Sequence, residues 1–290
     1  MARVSDLLAA GRTYSFEFFP PKTDGAQLSL GRTIAELEPL APSFVSVTYG
    51  AGGSSRARTR EVVTWVRKET SITPMAHLTC QGHSRAEIAE ILDDYRAAGI
   101  ENILALGGDL PADLAAGAPT DYHYASELIE DIAGDDFSIG VAAHPEVHPR
   151  SPDRETDRRL LAAKLSAADF AITQFFFEAE HYLRLVDELA ALGLDKPVVP
   201  GIMPVTNAGQ VRRMAELSGA AVPGWLVERL DGVEDPDEVR RIGVDVASTL
   251  CAELLERGAP GLHLYTLNRS TASREIYANL GLGATRAAAE

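Results

Sequence analysis

Eight short apolar, β-rich runs recur along the chain, and a segment with helical periodicity follows each of them. They span residues 14–19, 44–48, 73–78, 102–106, 137–142, 171–174, 197–201 and 262–265, mostly bounded by Gly, Pro or polar turn residues. Continuous apolar character, rather than alternation, suits strands covered on both faces, as in a parallel sheet. Spread over 290 residues, eight such units take about 36 residues each, the repeat of a (βα)8 barrel. An open doubly wound sheet is the rival. Its dinucleotide fingerprint is missing, because the glycine-rich turn Gly50-Ala51-Gly52-Gly53-Ser54-Ser55 has Ser in place of the third glycine.

The helical segments carry their own start signals. Ser84 with Glu87 makes a capping-box pattern ahead of Ile88, Ile91, Leu92 and Tyr95. Tyr182, Leu183, Val186 and Leu189 form a second stripe after Glu178. Asp235-Pro236 with Glu238 opens a long helix through Ile242, Val246, Leu250 and Leu254 that should end at Gly258. An extra helical piece, 223–230, precedes it between the seventh and eighth strands. No Ser/Gly-rich linker, charge block or low-complexity tract divides the chain. The expectation is therefore an α/β fold, one (βα)8 TIM barrel over 1–290, with an extra helix between strands 7 and 8.

Charge and cysteine content limit the function classes. Lys+Arg 27 against Asp+Glu 42 leaves a net charge of −15. That field repels nucleic-acid backbones and anionic membranes, so an anionic small ligand needs a local basic or amide-lined pocket. Cys80 and Cys251 are the only cysteines, which excludes a disulfide framework or CxxC site. No secretory leader or transmembrane-length apolar stretch is seen, and a cytoplasmic protein is expected. The sequence leaves open whether the protein is a homo-oligomer.

Barrel enzymes place their chemistry at the C-terminal ends of the strands. In Ser15-Phe16-Glu17-Phe18-Phe19, period-two alternation sends Phe16 and Phe18 to the helix layer and Glu17 into the barrel. Burial there raises a carboxyl pKa and makes a proton donor; pairing with a buried arginine is the alternative. Strand two ends in Thr48 and Tyr49 before a glycine-rich turn, where a ligand can approach backbone amides or the glycines simply shape the turn. His77 ends strand three, and Gly107-Gly108-Asp109 follows strand four. His144-Pro145-Glu146-Val147-His148 invites a zinc reading, but the prolines prevent a helix that would align the histidines, and no metal is expected. Phe175-Phe176-Phe177 either wall a planar ligand or fill the barrel mouth. Thr266, Asn268 and Arg269 after Tyr265 form a plausible carboxylate clamp. None of the four lysines lies at a strand end, so a Schiff-base aldolase fits poorly.

The stretches SFEFFPPKT (15–23), FVSVTYGAGGSSR (44–56), AHLTC (76–80), ALGGD (105–109), AAHPEVHP (142–149), AITQFFF (171–177), PGIMPV (200–205) and LHLYTLNRS (262–270) occur in this order along the chain. Together they resemble the methylenetetrahydrofolate reductases, in the bacterial form that consists of the catalytic barrel. The resemblance implies reduction of 5,10-methylenetetrahydrofolate to 5-methyltetrahydrofolate by ping-pong hydride transfer through FAD, with NADH or NADPH as donor, within one-carbon metabolism and methionine biosynthesis. It implies that Glu17 is the acid toward folate N10 and that Asp109 tunes both half-reactions near flavin and pterin. Thr48, Tyr49, Ala51, His77, Gly107, Gly108, Asp109, Ala125, His144, His148, Asp157 and Lys164 match the flavin-binding set. Glu17, Thr48, Asp109, Gln174, Gln210, Tyr265 and Arg269 match substrate contacts.

Three positions depart from the family pattern. The usual Arg-Gly-Asp reads Gly107-Gly108-Asp109, a tyrosine common after strand five is His144, and a phenylalanine that stacks on nicotinamide is Met214. The alternatives are a flavin-free reductase taking hydride directly from NADH, and a non-catalytic flavin- or pterin-binding barrel. A regulatory domain beyond the barrel is not expected.

Overall fold

The computed structural model describes residues 2–50, 55–108, 121–134 and 136–282. The strands are β1 (Thr13–Phe18), β2 (Phe44–Val47), β3 (Thr73–Thr79), β4 (Asn102–Leu106), β5 (Ser138–Ala143), β6 (Phe170–Thr173), β7 (Val198–Val199), β8 (Gly201–Ile202) and β9 (Gly261–Tyr265). The helices are α1 (Val4–Ala10), α2 (Asp24–Leu37), α3 (Arg56–Glu69), α4 (Arg85–Ala98), α5 (Ala125–Ile132), α6 (Arg154–Ser166), α7 (Ala179–Ala191), α8 (Ala208–Ser218), α9 (Gly224–Leu230), α10 (Pro236–Glu256) and α11 (Thr271–Asn279). All strand pairs are parallel, in the order β7-β6-β5-β4-β3-β2-β1-β9-β8.

The seventh run differs from its expected form, because it is two strands and not one. Pro200 lacks the N–H a ladder needs, so the run is interrupted there. Its first half pairs with β6 and its second with β9. The Pro200 carbonyl accepts from His263 N at 3.0 Å, which carries the ladder across the break. The eight strand segments of the sequence thus form a nearly closed TIM barrel. Gly201 sits at this seam for a steric reason: a Cβ there would lie 2.2 Å from the Thr173 carbonyl oxygen.

Strand and helix both follow local signals. β1, β2, β3 and β6 are buried along almost their whole length, as apolar runs between barrel interior and helix layer require. Ser84 and Glu87 form the capping box that opens α4. Asp235 caps α10, with Pro236 in its first turn, and Gly258 adopts a left-handed φ of 94° just past its end. The main core lies between strands and helices, where the Phe16 ring packs on Tyr277 of α11 with centroids 5.2 Å apart. A separate cluster of Val4, Leu8, Phe44, Met75, Leu104, Phe170, Ile172 and Val199 fills the barrel interior beneath the site. α1 seals that end: Val4 N donates to Asn102 Oδ1 at 2.7 Å, and Ser5 N to Ser138 Oγ at 3.0 Å. Among the described residues no helix is long and apolar enough to cross a membrane.

Candidate active site

With the lower barrel filled by hydrocarbon, polar side chains concentrate at the other end, around Glu17. Its register partners are Ser46 on β2 and Tyr265 on β9, so side chains from neighbouring strands converge on it. Glu17 is only 7% exposed, and among the described residues no arginine is paired with it. Instead its Oε2 lies 3.3 Å from His263 Nε2, 3.5 Å from Ser46 Oγ and 3.5 Å from His77 Nε2. Ser15 Oγ lies 2.7 Å from His263 Nδ1, and Phe44 stacks on the His263 ring at 5.9 Å. The imidazole is therefore held on both nitrogens and one face.

The backbone of Glu17 is fixed as firmly as its side chain. Thr266 Oγ1 donates to the Glu17 carbonyl at 2.6 Å. Asn268 pairs with the next turn of the same strand exit, its Oδ1 accepting from Phe19 N at 2.8 Å and its Nδ2 donating to Phe19 O at 2.9 Å. Asn268 reaches this geometry from a left-handed backbone, φ 59°, which costs a residue other than glycine some strain. Thr266 and Asn268 thus clamp β1, which corrects the expectation that they clamp a ligand carboxylate. Arg269 alone of that trio stays exposed, with no side-chain hydrogen bond or ion pair among the described residues.

Two buried polar atoms of β3, His77 Nε2 and Thr79 Oγ1, have no hydrogen-bond partner among the described residues. His77 approaches Glu17 without hydrogen-bond geometry. Burial, chiefly, pushes its pKa down to about 4, against the opposing pull of Glu17. The ring is thus neutral near pH 7. On the far side, Tyr265 spans the seam and donates from its hydroxyl to Thr173 O at 2.8 Å. Burial, and then Glu17, push that phenol well above its ordinary value.

The β5–α6 loop supplies the next group. Arg158, buried, donates to the carbonyls of His144, Pro145 and Glu146 at 3.1, 2.7 and 2.9 Å, and its Nε meets Glu188 at 2.6 Å. Asp157 faces inward too, and its Oδ1 accepts from His148 N and Ser151 Oγ at 3.2 and 2.8 Å. These contacts set the His144 and His148 rings edge to face, 4.5 Å apart. Burial, followed by the charges of His148, Lys164 and Arg158, holds the His144 pKa down at about 3. Among the described residues no group of three or more His, Cys, Asp or Glu is arranged to hold a metal.

The backbone of Lys164 lies away from the strand ends, as its sequence position implies. It belongs to α6, yet its Nζ reaches back to donate to Ala142 O of β5 at 2.7 Å. The side chain therefore does meet a strand end, and burial lowers its pKa to about 8. A Cβ at Gly107 would lie 4.0 Å from Ala125 N, while one at Gly108 would meet Thr79 at 2.8 Å. Thr48 donates from its amide to Phe18 O at 2.9 Å, beside β1. Tyr49 is buried and its hydroxyl pairs with His83 Nε2 at 3.1 Å. Gln174 is half-buried, its Oε1 accepting from Phe175 N at 3.0 Å, and Gln210 lies exposed in the first turn of α8. Phe175, Phe176 and Phe177 are all buried, which selects the filling role over the wall. Ala51 and Asp109 lie outside the described residues.

The sequence inference gave no site role to Ser15, Ser46 or His263. The signal was available, since the alternation that aims Glu17 inward also aims Ser15 and, on the last strand, His263 and Tyr265. Arg158 carried no such signal, because its partners are loop carbonyls.

Residues 3–281 match the methylenetetrahydrofolate reductase family. The chain belongs to that family. It is 41% identical over 271 residues to a 5,10-methylenetetrahydrofolate reductase of Pectobacterium carotovorum subsp. carotovorum, covering 92% of this chain and 90% of that one. The Escherichia coli K12 enzyme of the same description is 40% identical over 273 residues, with the same coverage. An Arabidopsis thaliana protein described as methylenetetrahydrofolate reductase (NADH) 1 is 34% identical over 97% of this chain, which spans half of that longer protein. Among solved structures, a Clostridium thermocellum protein described as binding two copies of 5-methyl-5,6,7,8-tetrahydrofolic acid superimposes with a TM-score of 0.68 at 14% identity, covering 95% of this chain and 96% of that one. That likeness supports the barrel fold of this family member.

Proposed function

We propose that this chain, taken as one catalytic barrel, reduces 5,10-methylenetetrahydrofolate to 5-methyltetrahydrofolate, with a reduced nicotinamide dinucleotide as electron source and FAD bound in the barrel mouth. The observation that carries this reading is Glu17: a buried carboxyl at the mouth of a barrel from a folate-reductase family, held by two strands and a histidine.

The mouth suits a large polar heterocycle. Buried His77 Nε2 and Thr79 Oγ1 have no hydrogen-bond partner among the described residues, and unpaired burial is costly unless a ligand supplies the missing bonds. Thr48, Tyr49, His77, Gly107, Gly108, Ala125, His144, His148, Asp157 and Lys164 would hold the cofactor, joined by Ala51 and Asp109. Bound FAD supplies a carrier that takes hydride from the nicotinamide and returns it to the folate methylene.

The protein's own part is to position and protonate. Glu17 faces folate N10 and gives it the proton that opens the five-membered ring. His263 bridges Ser15 Oγ through Nδ1 and Glu17 Oε2 through Nε2, and this chain of contacts holds the carboxyl in one orientation for transfer. Neutral His77 leaves no second full charge beside it. Thr48, Gln174, Gln210, Tyr265 and Arg269 orient the folate, with exposed Arg269 suited to the carboxylates of its glutamate tail. Asp109 is the second catalytic carboxylate of this reading.

The experiment is Glu17→Gln, followed with NADH under anaerobic conditions. Flavin bands should still bleach, while methyltetrahydrofolate formation falls about 10²- to 10⁴-fold, the usual weight of a general acid. Undiminished folate reduction would remove Glu17 from the role. A colourless wild-type protein that reduces folate with NADH would favour direct hydride transfer without flavin.

A further inference from the structure

The hydrogen-bond directions around His263 fix where one proton of the site resides. Ser15 Oγ lies 3.3 Å from Leu262 O and 2.7 Å from His263 Nδ1. A carbonyl oxygen only accepts, so the single hydroxyl hydrogen of Ser15 goes to Leu262 O. His263 then donates from Nδ1 to Ser15 Oγ, which leaves Nε2 of the neutral ring as a bare acceptor. That Nε2 faces Glu17 Oε2 and Ser46 Oγ, each at 3.3 Å. Ser46 Oγ in turn lies 3.5 Å from Oε2, so its one hydrogen serves either neighbour. If Glu17 were ionised beside this ring, lone pairs would face each other across the 3.3 Å gap. His263 is fully buried and Glu17 nearly so, and such burial is costly without a hydrogen between the atoms. One proton closes the gap, and placing it on the carboxyl avoids burying two opposite charges.

We infer that Glu17 is held as a carboxylic acid whose O–H donates to His263 Nε2, and that Ser15 enforces this by fixing the ring as the Nδ1–H tautomer. This rests on the reading of Glu17 as the acid, and makes His263 and Ser15 its positioning residues. The proton destined for folate N10 is thus stored before substrate arrives. As N10 takes it, the Oε2–H bond breaks, the N10–H bond forms, and Ser46 turns its hydrogen to the new carboxylate. A proton from bulk solvent restores the acid once product has left. Among the described residues, the other titratable groups facing Glu17 are His77 on β3, with its pKa pushed down to about 4, and the Tyr265 phenol on β9, held well above its ordinary value. Neither changes charge between about pH 6 and pH 8.

The test reads the tautomer first. In wild type carrying isotope-labelled histidine, nitrogen NMR separates protonated from bare ring nitrogens, and the His263 signals are assigned by their loss in His263→Asn and their shift in Ser15→Ala. Near pH 7 the ring should show a protonated Nδ1 and a bare Nε2. A bare Nδ1 with a protonated Nε2, or a doubly protonated ring, would overturn the inference. Kinetics then test the consequence. His263→Asn should slow folate reduction about 10- to 100-fold at about pH 8, the weight of a hydrogen bond or two. The deficit should shrink toward about pH 6, where solvent protonates the carboxyl without help. His263→Gln, with an amide oxygen available as acceptor, should recover most of the rate. A deficit equal at both pH values and unrescued by Gln would mean that the ring only fills space, and would likewise overturn the inference. Undiminished folate reduction by Glu17→Gln defeats the acid reading, whereas the tautomer stands or falls on its own spectrum.

Discussion

Two neutral histidines, His77 buried and His144 half-buried, should make this protein lose stability in mild acid, and one substitution should remove about half of their effect. The pKa values of His77 and His144 are held at about 4 and about 3 against an ordinary 6.5, mainly by burial. Near His144 the charged neighbours are His148, Lys164 and Arg158, all of which oppose a second positive charge. Below pH 6.5 the unfolded chain takes up a proton on each ring, and the folded chain does not until pH 4 or 3. The unfolded state then binds more protons, so stability falls as pH falls across that window. At about 1.36 kcal/mol per pH unit for each ring, lowering the pH from 7 to 5 costs about 2 kcal/mol per histidine and about 4 for the pair. His144→Tyr removes one titrating ring at a position where the family commonly has tyrosine. Urea unfolding of cofactor-stripped protein, followed by circular dichroism at both pH values, measures the difference directly. Carboxylates affect wild type and variant alike and cancel in the comparison. The variant should lose about 2 kcal/mol less than wild type between pH 7 and pH 5. Equal losses, within about 0.5 kcal/mol, would refute the burial argument for His144.

Two further predictions concern the frame of the site. Asn268→Ala removes both bonds to the Phe19 backbone and should cost about 1–3 kcal/mol in urea unfolding, with a drop in kcat for folate reduction as the exit of β1 loosens; unchanged stability and kcat together would show that Thr266 alone holds the strand. Gly201→Ala places a methyl 2.2 Å from a carbonyl oxygen at the barrel seam and should cost more than about 3 kcal/mol or abolish soluble expression; a thermal midpoint equal to wild type would mean that the seam tolerates opening.

Much of this arrangement was legible in one dimension. The eight apolar runs mark the strands to within a residue or so at most ends, because a strand buried on both faces needs unbroken hydrocarbon. Capping at Ser84 and Asp235 was equally local, since each cap answers amides of its own first turn. The inward aim of Glu17 followed from alternation on β1 alone. What the sequence could not determine is the company Glu17 keeps. Its surroundings come from His263, which is 246 residues away, and Ser46, which is 29 away. Closure of the barrel brings them together. The same closure turned Thr266 and Asn268 from an expected ligand clamp into supports for the β1 backbone. Lys164 and Arg158 show the limit from another side: long side chains act some distance from their own backbone, and only the packed loop and helix fix where the charge arrives. Sequence periodicity thus decided which residues face inward. Tertiary closure decided which of them meet, because contacts between residues hundreds of positions apart depend on the register of strands rather than on local conformational preference.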